Sequence, residues 1–265
     1  YNPAFVLDDE EKATRLSRAA PELIKPLLRG RDLRRYAYTF NRQWLIFTRR
    51  GIDIDSYPEI RDHLSEFYEQ LRPRNNGEPS GRKPGPYKWF EIQDNIAYFQ
   101  DFDKPKIIWG ELSDEAKFTY DDEGHYFNNT MYFFTGEHLK YLLAVLNSKA
   151  AGWYFNTIAT TSGMGTTRWF KYKIEQLPVP EPDAETEQQV EALVNAVLAA
   201  KRANPQADTR PLEAQIDALV FQLYGLSESE VLYVLDHTCP TPPREREAIQ
   251  NNFRNLARGN FSLLT

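Results

Sequence analysis

Three residues of the chain have the types and the spacing of a catalytic metal site. Asp103 is followed by Glu115 and, two residues further on, by Lys117. In many nucleases an aspartate and a Glu-x-Lys triplet build such a site, in which the carboxylates hold a divalent cation. The same triplet recurs at Glu10 to Lys12, so it arises easily without a function. A metal-dependent nuclease therefore stays open as one alternative, and it predicts magnesium-dependent cleavage that Asp103→Ala abolishes.

The other residues with catalytic chemistry form no recognisable set. The four histidines, at 63, 125, 138 and 237, are scattered singly and lack the spacing of a zinc site. No Ser-His-Asp or Cys-His arrangement can be argued from their positions. The single cysteine, Cys239, excludes an intramolecular disulfide and fits a reducing compartment. We therefore expect no catalytic residue and no metal in this chain, and a cytoplasmic location.

Arginine is concentrated in one segment of a chain whose net charge is −6. The segment IKPLLRGRDLRRY, residues 24–36, is followed closely by Arg49 and Arg50, and residues 29–50 carry seven arginines against one acid, Asp32. A second basic cluster lies within residues 72–88. Guanidinium groups bind phosphate and can donate two hydrogen bonds to a guanine edge. The local clustering therefore indicates a nucleic-acid face, although the overall charge would argue against one.

The charge also divides the chain into two regions. Residues 1–180 hold 25 basic and 25 acidic residues, whereas residues 181–265 hold 7 and 13. We therefore predict a recognition domain at 1–180 and an acidic helical C-terminal region at 181–265. No apolar run approaches the roughly 20 residues that span a bilayer, so no membrane partner is expected.

The helices and strands expected from the sequence indicate an α+β fold. We expect a twisted mixed sheet with flanking helices, followed by a helical C-terminal region. Apolar residues recur at helical spacing over 137–156, and helices are also expected at 8–20, 56–71, 185–202, 210–224 and 228–236. Strands are expected within 36–48 and 105–134, and at 169–182 a strand that leads into a proline-rich linker. Ile24, Leu27 and Leu28 should belong to the core.

Two loops lie between these elements. Residues 72–86 contain four prolines and three glycines, and a loop of this length is usually functional or disordered. Residues 160–168 are rich in small hydroxyl side chains and glycine, which let a backbone approach a partner closely. A variable surface loop and a flexible connection remain the alternatives for these two segments.

Several segments, in this order, resemble one family. They are IKPLLRGRDLRRY, WLIFTRRG, YPEIRDHLSEFYEQLRPR, YKWFEI, KPKIIWGEL, LKYLLAVLNSKAAGWYF and YKIEQLPVPEP. Together they resemble the C-terminal specificity domain of TaqI-like DNA methyltransferases, which type IIG restriction–modification enzymes also carry. The stretch LLAVLNSKAAGWYF with IEQLPVP is also similar to the specificity subunits of type I restriction systems. The tail LEAQIDALVFQLYGLSESEV is similar to the helical segment that often closes such proteins.

The resemblance implies a target-recognition domain for double-stranded DNA in a prokaryotic restriction–modification system. In the family, an N-terminal domain uses S-adenosylmethionine to methylate adenine N6. Because this chain starts at Tyr1 and contains no such domain, we expect a fragment that binds no cofactor and catalyses nothing alone. Its expected partners are double-stranded DNA and the methyltransferase domain of the same chain. Endonuclease activity of the parent protein stays open.

The residues that contact DNA are predicted from local chemistry, since base-reading residues differ between members of the family. We expect the following residues near bases: Arg72, Arg74, Ser162, Thr166 and Arg168. We expect the following residues on phosphates: Arg29, Arg31, Arg34, Arg35 and Lys88. A third alternative is a subunit-interaction module that self-associates through the helical tail, and it predicts that residues 1–180 alone lose the oligomer.

Overall fold

The computed structural model describes residues 2–75, 77–161, 167–238 and 241–264. Ser162, Thr166 and Cys239 therefore lie outside the described residues. The strands are β1 (Val6–Leu7), β2 (Ile24–Leu28), β3 (Leu33–Arg34), β4 (Ala37–Tyr38), β5 (Trp44–Ile46), β6 (Lys106–Gly110), β7 (Leu112–Ser113), β8 (Thr119–Asp121), β9 (Tyr126–Phe127), β10 (Met131–Phe134), β11 (Thr160–Thr161) and β12 (Thr167–Arg168). The helices are α1 (Asn2–Phe5), α2 (Glu10–Ala19), α3 (Pro58–Ser65), α4 (Tyr68–Leu71), α5 (Leu139–Asn147), α6 (Lys149–Ile158), α7 (Lys171–Ile174), α8 (Ala184–Ala203), α9 (Arg210–Leu223), α10 (Glu228–His237) and α11 (Pro243–Ala257).

The chain forms two compact units, each assembled from separate stretches of sequence. Unit 1 consists of Tyr1–Leu28, Phe40–Lys104 and Asp122–Asn128. Unit 2 consists of Arg29–Thr39, Pro105–Asp121 and Asn129–Thr265. The boundary predicted at residue 180 separates a recognition domain from an acidic region. It concerns function and charge, whereas the two units are defined by compactness, so it stays a prediction.

Unit 1 is built on a mixed sheet in the order β1-β5-β2-β9. The first three strands pair antiparallel, and β2 pairs parallel with β9. Leu16, Ile46 and Ile60 are fully buried beside this sheet because α2 and α3 turn their apolar positions inward. The predicted core residues of β2 are confirmed, since Ile24, Leu27 and Leu28 are all buried.

Unit 2 joins a second sheet, in the order β10-β6-β8, to a set of helices. Trp109 of β6, Leu143 of α5, Val194 of α8, Phe221 of α9 and Ile249 of α11 belong to one continuous core. The acidic tail therefore packs its apolar face into the same core as the sheet. The predicted α+β class with a helical C-terminal region is confirmed. Among the described helices, none has the length and apolarity to cross a bilayer.

The predicted helix at 137–156 is divided into α5 and α6 at Ser148. The Ser148 backbone is extended, and its hydroxyl accepts a hydrogen bond from the Ala151 N–H at 3.1 Å, so it caps α6. A serine N-cap starts a new helix even where the apolar periodicity continues. The helix predicted at 228–236 corresponds to α10, which begins at a capping box formed by Ser227 and Glu230.

Two local predictions differ from the structure. The stretch predicted as a strand before the proline-rich linker contains the short helix α7. The residues DDEG at 121–124 are typical of a hairpin turn, but among the described strands β8 pairs with β6 whereas β9 pairs with β2. Both choices depend on partners that are distant in the sequence, which local propensity does not encode.

Candidate nucleic-acid interface

The part of the arginine segment that belongs to unit 2 starts at Arg29 and forms a tight turn at Gly30–Asp32. The buried Asp32 carboxylate accepts the Arg29 N–H at 2.8 Å and closes this turn. The chain then continues into the β3–β4 pair, in which Leu33 faces the core and Arg34 faces solvent. Asp32, the one acid among the seven arginines of residues 29–50, therefore stabilises the backbone of this turn.

Arg31 and Arg34 are the exposed cations of this segment. The Arg31 side chain is 70% exposed, and its Nε lies 3.9 Å from Asp32, which is a weak ion pair. Arg34 Nη1 donates to the Arg31 and Leu33 carbonyls, each at 2.7 Å. These hydrogen bonds fix the guanidinium against its own turn without neutralising its charge. Both residues are therefore placed to meet an anion from solvent.

Arg35 has a structural role instead. Its Nε lies 2.6 Å from Glu213 Oε2, and its Nη2 lies 3.9 Å from the buried Asp217. Asp217 also accepts the Lys149 N–H at 2.7 Å, and burial raises its pKa to about 6 despite the nearby cations. Arg35 thus links the arginine segment to α9 through charges that are largely removed from water. Because its guanidinium is committed to these carboxylates, we leave Arg35 out of the proposed DNA surface.

The arginine segment lies close to the end of β6, where Arg168 of the predicted loop 160–168 is also bound. Gly30 Cα would lie 3.9 Å from a Cβ placed on Gly110, so the turn contacts the end of β6. The next residue, Glu111, accepts a hydrogen bond from Arg168 Nη1 at 2.9 Å. The Arg168 side chain nevertheless remains 42% exposed. Glu111 therefore positions Arg168 beside the segment that carries Arg31, and nothing in the sequence pattern had indicated this glutamate.

Arg168 lies on a small sheet that is anchored in the core of unit 2. Strands β11, β12 and β7 form a small antiparallel sheet, with Thr160 opposite Arg168 and Thr167 opposite Ser113. Trp169 stacks on Phe155, with ring centroids 4.0 Å apart, and anchors this sheet in the core of unit 2. The connection between β11 and β12, which holds the predicted Ser162 and Thr166, lies outside the described residues.

In unit 1, the long loop after α4 is held by a buried arginine. Arg82 donates to four backbone carbonyls: those of Leu71 at 2.5 Å, Glu91 at 2.8 Å, Trp89 at 2.9 Å and Lys88 at 3.2 Å. Its guanidinium also lies over the Tyr87 ring, 4.4 Å from the centroid. Arg82 was counted in the basic cluster, but it serves the fold of the loop and not its surface charge.

Arg72 belongs to the same supporting framework. Its Nε lies 2.9 Å from Glu69 and its Nη1 lies 2.6 Å from Glu78. Its carbonyl accepts the Arg82 N–H at 2.9 Å, which closes the loop. A side chain paired with two carboxylates has little charge left for an anion, so we also leave Arg72 out of the proposed surface.

The free cations of the loop are Arg74, Lys83 and Lys88. All three are exposed, and none makes an ion pair within the described residues. Lys88 Nζ lies 5.6 Å from the Phe90 ring centroid, which restrains it without neutralising it. Lys83 was not among the predicted contacts, although it follows Arg82 directly and its exposure makes it equivalent to Lys88.

The residues of the nuclease alternative have other partners. Lys117 Nζ lies 2.6 Å from Asp114 and 3.8 Å from Glu115, whereas Asp103 lies 3.7 Å from Lys25 in unit 1. Over the described ranges, no group of three His, Cys, Asp or Glu side chains is arranged to hold a metal ion. Nothing in this geometry favours the metal-dependent alternative.

Two known proteins resemble this chain, one in its structure and one in its sequence. The solved structure of the type IIL restriction–modification enzyme MmeI in complex with DNA matches 96% of this chain with a TM-score of 0.59 at 16% identity. The type II methyltransferase M.BstVI of Geobacillus stearothermophilus is 23% identical over 224 residues, which are 82% of this chain. This chain spans only about a third of either protein, at 34% and 36% of their lengths. The chain thus shares its fold with part of the first protein and sequence similarity with part of the second.

The family is shown by a direct match. The model of the TaqI-like C-terminal specificity domain matches residues 25–179, which is more than half of the chain. The chain belongs to the TaqI-like C-terminal specificity domain family, and the resemblance drawn from its sequence is confirmed. The matched range includes the arginine segment, the loop after α4 and strands β11 and β12.

Proposed function

We propose that this chain recognises a short double-stranded DNA site for a restriction–modification protein. Membership of the specificity-domain family supports this proposal, as does the likeness to a chain solved in complex with DNA. Two sets of exposed cations also support it, one in each unit. An acidic chain can bind DNA in this way because affinity depends on the positive charge at the contact face.

The observation that carries the proposal is the convergence within unit 2. The turn that contains Arg31 and leads to Arg34 lies against the end of β6. Glu111, which follows that strand, accepts a hydrogen bond from Arg168, whose side chain is 42% exposed. The proposed phosphate contacts and the proposed base contact therefore lie on connected parts of unit 2. An arginine held by a carboxylate keeps two donors oriented, which is what bidentate contact with guanine requires.

The proposed roles follow from exposure and charge. Arg29, Arg31, Arg34 and Lys88 contact phosphates, together with Lys83. Arg74 and Arg168 lie nearer to bases, as do Ser162 and Thr166 of the connection between β11 and β12. Phosphate contacts fix the orientation on the duplex, and contacts to base edges select the sequence.

The proposal extends to the parent protein. We propose an N-terminal domain that binds S-adenosylmethionine and methylates adenine N6, in a methyltransferase or a type IIG enzyme, with or without endonuclease activity. This chain then supplies no catalytic group, and base flipping takes place in the domain that carries the chemistry. The domain partner and a cytoplasmic location are part of the same proposal.

Selection from a pool of random duplexes tests the proposed recognition. The full chain should enrich one short motif, and Arg168→Ala should relax the preference at one position while most of the affinity is retained. Arg258→Ala serves as the control, since Arg258 is exposed at the end of α11 in the same unit. Enrichment of no motif by the wild-type chain would contradict recognition by this domain.

Self-association through the helical tail stays a separate proposal. Because α8 to α11 share the core of β6 and α5, truncation at residue 180 would remove part of that core. Sedimentation equilibrium of the full chain is therefore the better measurement. A monomer mass that does not change with concentration would contradict self-association.

A further inference from the structure

Unit 1 contains a cleft that none of the proposed DNA contacts uses. It has a volume of about 280 Å³, and the residues that line it all belong to this unit. Leu23, Phe47 and Tyr126 are buried and form its apolar floor. Ile52 and Phe99 are partly exposed at its sides. The floor is therefore aromatic and aliphatic, as in sites that accept a flat organic ring.

Two cations stand over aromatic rings of this cleft. The Arg49 guanidinium carbon lies 5.2 Å from the Phe99 centroid, and Lys25 Nζ lies 5.4 Å from the Tyr126 centroid. Lys25 has a loose ion pair with Asp103 at 3.7 Å. Arg49 is exposed and makes no ion pair among the described residues. The Phe99 ring thus supports a cation that is outside any ion pair of the described residues, in a cleft whose lining also includes Glu22 and Asp103.

Two other residues that line the cleft offer hydrogen-bonding groups. The Tyr57 hydroxyl donates to Glu22, and this bond lowers the pKa of the Glu22 carboxyl. Glu22 therefore stays ionised at neutral pH and can accept a hydrogen bond from an amino or hydroxyl group. The cleft thus combines an anion-binding arginine, an apolar floor and an acceptor.

We infer that this cleft binds one nucleotide, with the base on the apolar floor and the phosphate at Arg49. The volume lies near the lower end of the range of small-molecule sites, which suits one nucleotide and excludes a longer segment. Because Lys25 and Arg49 lie over the Tyr126 and Phe99 rings, a base packs on the apolar floor without a dedicated stacking ring, and the floor does not select its identity. Arg49 supplies the phosphate contact, Lys25 supports it, and Glu22 accepts from the polar edge of the ligand.

The nucleotide can come from two sources. It is either a free mononucleotide or a nucleotide displaced from bound DNA, and only the second source depends on the proposed function. Displacement costs least where a nucleotide is already unpaired. A duplex with one bulged nucleotide therefore distinguishes the two sources.

Titration calorimetry of the full chain with dAMP, TMP and inorganic phosphate tests the inference. Both nucleotides should bind more tightly than phosphate, because only they fill the floor. Arg49→Ala should weaken nucleotide binding about tenfold, through loss of a charged hydrogen bond. Phe99→Leu, which keeps the apolar volume and removes the ring, should reduce the preference for nucleotides over phosphate. Arg15→Ala is the matched control, since Arg15 is exposed on α2 of the same unit, and it should change nothing.

The DNA measurement completes the test. If the source is DNA, the wild-type chain prefers the bulged duplex over the perfect duplex, and Arg49→Ala abolishes this preference. If the source is free, dAMP binds and Arg49→Ala leaves the relative affinity for the two duplexes unchanged. Nucleotides that bind no better than phosphate, together with no preference for the bulge, would overturn the inference even if the perfect duplex binds. A chain that binds dAMP and no duplex would overturn the proposed function and leave the cleft assignment standing.

Discussion

Removal of the Arg82 guanidinium should unfold the loop that carries the cations of unit 1. Arg82 is 8% exposed, and its donors reach four carbonyls between Leu71 and Glu91. Arg82→Leu would keep most of the apolar stem while leaving these carbonyls without their donor. The variant therefore removes these hydrogen bonds together with the contact of the guanidinium with the Tyr87 ring.

The magnitude follows from the number of carbonyls and their burial. A hydrogen bond to a charged group contributes about 1.5–3 kcal/mol, but contributions within one network do not add. Water can also reach part of the freed loop. We therefore expect a loss of about 3–5 kcal/mol, similar to the effect of breaking other buried charge networks. Arg82→Lys should recover only part of this loss, since an ammonium group cannot match the planar donor geometry.

Urea unfolding of the full chain, with limited proteolysis of residues 72–91, is the assay. Arg82→Leu should lower the midpoint of the transition that reports on unit 1 and open this loop to cleavage. Arg74→Ala is the matched control, because Arg74 is an exposed arginine of the same loop. That control should stay within about 0.5 kcal/mol of the wild type. A change below about 1 kcal/mol for Arg82→Leu would refute the structural role given to Arg82.

Two further predictions concern backbone conformation and pH. Gly81→Ala should destabilise the same loop by more than about 1 kcal/mol, because Gly81 has φ +98° and an added Cβ would lie 2.7 Å from the Arg72 carbonyl oxygen. Gly77→Ala is the control, since Gly77 has φ +89° but an added Cβ there would meet open space. Equal unfolding midpoints of the two variants would contradict the steric argument. Burial raises the Asp217 pKa from 3.8 to about 6, so the folded state binds the proton more tightly and this contribution is lost as pH rises through that interval. Relative to Asp217→Asn, wild-type stability should therefore fall by about 2 kcal/mol between pH 4 and pH 7, and parallel stability curves would contradict the assigned pKa.

The sequence predicted the elements whose signals are local. The positions of α2 and α10 and the apolar periodicity of α8 and α9 all depend on neighbours within one or two turns. The burial of β2 was also predictable, because Ile24, Leu27 and Leu28 are aliphatic and lie close together in the sequence. The family was predictable for a different reason, since seven short segments kept their order along the chain.

The roles of individual arginines could not be predicted from the sequence. Arg34 and Arg35 are adjacent and chemically identical, yet one is exposed and the other pairs with Glu213 of α9, far along the chain. Arg82 has the same sequence neighbourhood as Lys83, but only the fold shows that its guanidinium faces four carbonyls. A local cluster therefore predicted where a charged face lies, whereas the division into surface and supporting residues required tertiary contacts.

The most direct test of the account is the salt dependence of DNA binding by the arginine segment. For the double variant Arg31→Ala/Arg34→Ala, we expect the slope of log K against log salt to become shallower by about 1.8, since each phosphate contact on duplex DNA contributes about 0.9. Arg258→Ala should keep the wild-type slope. Fluorescence anisotropy with one duplex over a range of salt concentrations measures all three proteins. A double variant with the wild-type slope and affinity would contradict the central claim that these two arginines bind phosphates.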